Sequence, residues 1–98
     1  MFSDWRVFYI KALMYDFGYL YKQDYAMARK FYEAAEECGC EKSKVNHALL
    51  LLCGLGGESD EQLATKLLQE AALAGVESAK YNLSVINGSE VKEKYKIS

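Results

Sequence analysis

The chain has 98 residues, 51% hydrophobic and 27% charged, with seven glycines and no proline: enough for one domain and too little for two independent cores. Twelve Lys and Arg against 14 Asp and Glu leave a formal charge of −2, without the basic excess that neutralises phosphates, which argues against nucleic-acid binding. The longest apolar run, residues 48–53, is six residues long against the roughly 18 that a membrane span needs, so no membrane crossing is expected.

The absence of proline lets helices run uninterrupted, and the predicted elements are all helical. The first covers about 4–17, with Ser3 as its N-cap, Phe2 stapled onto Val7, and Gly18 at its end. Asp4, Trp5 and Arg6 stand where a secretory leader would carry a basic start and an apolar block, so a cytoplasmic location is expected. A second helix, about 24–38, opens at Asp24 and closes at Gly39. The third, about 43–54, stops at Gly54. A fourth, about 60–74, opens near Ser59, which with Gln62 makes a capping box, and closes at Gly75. The fifth covers about 77–87, and the polar, basic tail 89–98 forms either one frayed turn or a helix covering the end of the array. Cys38, Cys40 and Cys53 are an odd number, which fits reduced thiols better than a disulfide framework.

These helices form a repeat. Shifted by 36 residues, the sequence matches itself at 11 of 62 overlapping positions, among them Ala12/Ala48, Gly18/Gly54, Asp24/Asp60, Ala28/Ala64, Ala35/Ala71 and Gly39/Gly75. Glycines recur at helix ends, where a residue able to take φ > 0 is needed, and alanines recur where helices cross closely. The fold class expected is all-α, a short right-handed α-solenoid of antiparallel helix pairs. It comprises about two and a half units: repeat 1 at about 3–39, repeat 2 at about 40–75, and a partial repeat with a capping tail at about 76–98.

Residues 18–39, GYLYKQDYAMARKFYEAAEECG, resemble the Sel-one-like repeat (SLR), a relative of the tetratricopeptide repeat. In that family a glycine closes the first helix of a unit (helix A), a loop close to QDYA opens the second (helix B), and helix B ends in an aromatic pair, alanines and glycine. The matching residues are Gly18, Gln23 to Ala26, Phe31, Tyr32, Ala34, Ala35 and Gly39. The second copy has Gly54, Ala64, Leu67, Leu68, Ala71, Ala72 and Gly75, and AKYNLSVI at 79–86 looks like the start of a third helix A. Lys11 and His47 depart from the pattern, standing where the family places leucine. The resemblance implies a solenoid that serves as an interaction surface for other proteins and implies no catalysis.

The residues themselves give little to a catalytic reading. The single histidine, His47, is six residues from Cys53, which puts the two about 9 Å apart along one helix and on different faces. A zinc site from Cys38, Cys40, His47 and Cys53 has suitable ligand chemistry, but that geometry separates two of its members. No catalytic residue, metal or cofactor is expected.

Aromatic residues concentrate in the first repeat, 11 of 13 between Phe2 and Tyr32. Tyr9, Phe31 and Tyr32 are expected in the core. Tyr19 and Tyr21 lie in the turn between helices, where an aromatic has little core to fill and is suited to anchor a partner. On helix A, the stripe Tyr9/Val45/Tyr81 and Leu13/Leu49/Val85 is expected to face the core. A neighbouring stripe runs through Phe8, Lys11 and Tyr15; Lys44, His47 and Leu51; and Lys80. Its cations form either a basic ribbon for an acidic partner on the concave face or an ordinary solvated face.

The function expected is therefore non-catalytic binding of one dedicated protein partner through Phe8, Lys11, Tyr15, Tyr19, Tyr21, Lys44, His47 and Lys80. Such a partner would be a toxin neutralised by this chain as its immunity protein, or an effector that it chaperones or adapts; the rival reading is a thiol- or zinc-dependent activity. The chain is expected to be a monomer, with weak self-association through the truncated third repeat as the alternative.

Overall fold

In the computed structural model, which describes residues 4–95 and the side chains of residues 4–88, the chain forms five α-helices. They are α1 (Trp5–Phe17), α2 (Tyr25–Glu37), α3 (Glu41–Cys53), α4 (Glu61–Leu73) and α5 (Glu77–Tyr95). Each packs mainly on the next along the chain, giving an elongated slab of 53 × 28 × 19 Å. The tail is helical as far as Tyr95, an unbroken continuation of α5 beyond the expected end near residue 87.

Local chemistry sets the helix starts. Asp4 caps α1, its carboxylate accepting from the Arg6 backbone N–H at 3.0 Å; the expected cap at Ser3 and staple from Phe2 lie outside the described residues. Asp24 caps α2 by accepting from the Met27 N–H, and Asp60 caps α4 by accepting from the Leu63 N–H. The cap of α4 is thus one residue beyond the expected Ser59, because Asp60 repeats the role of Asp24 thirty-six residues earlier. Both aspartates also donate their own N–H to a helix A carbonyl, Asp24 to Tyr15 at 3.0 Å and Asp60 to Leu51 at 3.1 Å, so the turn has one geometry in both repeats.

The core divides about α3. Leu50 packs on the α1–α2 side with Ala12, Ala28 and Tyr32. Val45, Ala48 and Leu51 pack on the other side with Ala64, Leu67, Leu68 and Ala71. The repeated alanine pairs 12/48, 28/64 and 35/71 are all fully buried, since only a methyl group fits where helix backbones approach this closely.

Arg29 of α2 ties the repeats together. Its Nε donates to the Leu55 carbonyl at 2.7 Å, and its Nη2 lies within hydrogen-bond reach of the carbonyls of Leu50, Gly57 and Glu58. A guanidinium can fan several donors over a helix end, whereas an ammonium offers one compact point. Replacing Arg29 by Lys is therefore expected to lower stability by about 1–3 kcal/mol, measured as the shift in a urea unfolding midpoint.

Candidate partner-binding surface

An aromatic ladder crosses the first repeat. Phe8 stacks on Phe31 with centroids 6.3 Å apart, Phe31 on Tyr15 at 5.8 Å, and Tyr15 on Tyr21 at 4.7 Å. The Lys11 ammonium stands 5.6 Å from the Phe31 centroid, where the ring face attracts a cation. Phe8, Tyr15 and Phe31 are half-buried, Tyr21 is exposed, and Tyr19 beside it is 67% exposed. Five of the eight residues expected to bind a partner, Phe8, Lys11, Tyr15, Tyr19 and Tyr21, therefore share one end of the molecule.

The other three do not join them. His47 is 8% exposed, with Nδ1 2.7 Å from the Glu36 carboxylate of α2. Lys44 is mostly buried between Glu41 and Glu70, its Nζ 3.1 Å from each. Lys80 is exposed and pairs with Glu77 on its own helix. The expected basic ribbon does not form, because in α3 the stripe at 44, 47 and 51 turns inward against the helices on either side. Among the described residues no helix precedes their equivalents in α1, Phe8, Lys11 and Tyr15; there Phe31 of α2 stacks on Phe8 and Tyr15, and Tyr21 stacks on Tyr15.

The expected core stripe divides as well. Tyr32 and Val45 are buried and Tyr9 is half-buried, but Tyr81 is exposed because among the described residues no helix B follows α5. Leu49 and Val85 lie on the open face of the helix A row. Tyr9 accepts from Asn46 at 3.4 Å, and burial pushes its phenol pKa up.

A second apolar surface lies on α1 and escapes sequence reasoning: Ile10, Leu13, Met14, Phe17 and Tyr19 line a shallow depression. The signal was available: the three charges of α1, Arg6, Lys11 and Asp16, are spread around the helix rather than gathered on one face, which leaves apolar residues on every side.

The cysteines are unpaired, with Cys40 buried, Cys38 half-buried and Cys53 exposed. Among the described residues no three of His, Cys, Asp and Glu converge as a metal site would need. No described helix is long and apolar enough to cross a membrane.

No protein-family model and no curated protein matches the chain by sequence. Solved structures match its fold. A Sel1 repeat protein from Oxalobacter formigenes superposes with a TM-score of 0.79 at 22% identity, over 84% of this chain and 34% of that one. A protective antigen of uropathogenic Escherichia coli strains, described as displaying an SLR fold, gives 0.74 at 28% identity, over 76% of this chain and 16% of that one. The chain has the all-α SLR fold and spans about a third or less of the length of these two proteins.

Proposed function

We propose that the chain is a non-catalytic, cytoplasmic binding module for one dedicated protein partner, held at the aromatic end of the first repeat. The observation that carries this reading is the ladder Phe8–Phe31–Tyr15–Tyr21, flanked by exposed Tyr19 and by Lys11. Stacked rings are held rigid before contact, so little conformational entropy is lost on binding, and tyrosines offer an apolar face with a polar tip. Lys44 and His47 are left to structural roles, and Lys80 lies away from the ladder. The more specific form of the proposal is that the partner is a toxin and this chain its immunity protein, which a module with room for one partner suits.

The test begins with affinity capture using the whole chain as bait, followed by calorimetric titration of the captured protein. Tyr19→Ala/Tyr21→Ala is expected to weaken Kd by about tenfold or more, and Lys80→Glu to leave it unchanged. Equal affinity of the tyrosine variant and the wild type would remove the site. For the immunity form, the captured protein expressed alone is expected to arrest growth and co-expression of this chain to restore it; a harmless partner excludes that form.

A further inference from the structure

Among the described residues, nothing covers the face of α1 turned away from α2. Val7, Ile10, Met14 and Phe17 lie along it in the 3, 4, 3 spacing of a helix–helix seam, with Val7 and Ile10 each about half exposed and Phe17 72% exposed. The stripe contains no charge. On α3 the residues equivalent to Val7 and Met14, Ser43 and Leu50, are buried and that equivalent to Ile10, Asn46, is half-buried, whereas Cys53, equivalent to Phe17, is exposed; the first three positions are therefore ones that a preceding unit covers.

A regular preceding repeat cannot supply that cover here. Where α2 meets the end of α3, the contact runs through Gly56, at φ +82°; a Cβ there would lie 2.5 Å from the Tyr25 carbonyl carbon. The position equivalent to Gly56 in the first repeat is Leu20, which also has positive φ, 71°, and whose side chain is 78% exposed. Its Cβ fills the space that an incoming helix B backbone would need. The occupant must approach α1 in some other way.

We propose that a second copy of this chain covers the stripe, the two α1 helices packing antiparallel about a twofold axis. A 3, 4, 3 spacing reads the same in both directions, so Val7 of each copy meets Phe17 of the other and Ile10 meets Met14, small against large and branched against flexible. This is the self-complementarity that a twofold interface requires. The same alignment brings Arg6, whose Nε and Nη2 are held by the Asp4 carboxylate at 3.0 Å, opposite Gly18 of the second copy, so that its remaining N–H groups face the C-terminal end of an α1 whose last turn has no basic residue of its own, where a cation is favoured. A contact limited to one helix face from each copy makes a weak dimer, with Kd on the order of 1–100 μM. The ladder of Phe8, Tyr15 and Tyr21 stays open in this arrangement, and Tyr19, which lines the depression beside Ile10, Met14 and Phe17, is the residue shared with the proposed partner site.

Sedimentation of the full chain across concentrations from about 1 to 500 μM is the first measurement. The weight-average mass is expected to rise from 11.1 kDa toward twice that value; Ile10→Glu/Phe17→Glu is expected to remain monomeric with an unchanged helical circular-dichroism spectrum, and Tyr81→Glu on α5 to dimerise like the wild type. Geometry is read by mild oxidation in a Cys53→Ser background. A mixture of Ile10→Cys and Met14→Cys chains is expected to cross-link to each other, and neither alone. Self-cross-linking of Ile10→Cys would mean a parallel pair and overturn the arrangement. Loss of association in Tyr81→Glu would place the contact on α5, and a monomer throughout the range would dismiss the dimer.

Discussion

Gly56→Ala is expected to destabilise the fold by about 2–4 kcal/mol, a large share of the stability of so small a domain. Two costs act together at that position. The backbone is at φ +82°, where a Cβ is strained by about 1–2 kcal/mol. The added methyl also meets the backbone of Tyr25 and Ala26 at 2.5–2.8 Å, and backbone at a helix start cannot swing aside as a long side chain can. Gly75→Ala separates the two costs, because Gly75 has φ +94° but nothing within 4 Å of its Cβ position. It should lose only the strain, about 1–2 kcal/mol. Urea unfolding of the two variants side by side measures the difference, and equal losses would mean that the Gly56 contact is not tight.

Tyr32 carries the second large effect. It is fully buried in the core beside Ala12 and Ala28, and its hydroxyl donates to the Asp16 carboxylate at 2.6 Å. Truncation to Ala removes a ring from a packed site and is expected to cost about 3–5 kcal/mol, enough to unfold much of the population. Tyr32→Phe keeps the ring and deletes one charge-assisted hydrogen bond, for about 1–3 kcal/mol.

Burial, and then the hydrogen bond to Asp16, push the Tyr32 phenol pKa far above its ordinary value of 10.0. Above pH 10 the phenol of the unfolded chain loses its proton while the folded one retains it, so stability contributed by Tyr32 is full below pH 10 and falls as pH rises beyond it. Alkaline unfolding midpoints should therefore fall more steeply with pH in the wild type than in Tyr32→Phe. Parallel slopes would assign the alkaline loss to other tyrosines, such as Tyr9.

The helix count, the two turns and the buried alanines were legible because each is fixed within one repeat and then stated twice. Gly18 and Gly54, Asp24 and Asp60, and Ala28 and Ala64 each perform one role at two addresses, and the 36-residue offset exposes the pairs. The orientation of helix A was not legible in the same way. Periodicity assigns a buried face only when polar residues gather on the opposite one, and those of α3 crowd its first half, Glu41 to His47, on every side, so the stripe Lys44, His47 and Leu51 reads equally well as turned outward or inward. It took Glu36 beside His47 and Glu70 beside Lys44 to show that these two side chains are held within the fold. The exposure of Tyr19 and Tyr21 was legible because a turn places its aromatics outside by necessity. The uncovered stripe of α1 was missed because an apolar residue on a helix reads first as core.

The division of the core about α3 also decides how the molecule comes apart. Leu50 belongs to one cluster and Val45, Ala48 and Leu51 to the other, so neither repeat can open without stripping a face from the helix that the other depends on. Long solenoids lose their end units one at a time because each unit has a neighbour to spare. Two repeats that share one central helix have no such reserve between them and are expected to melt in one cooperative transition, seen as coincident unfolding curves from probes in each repeat.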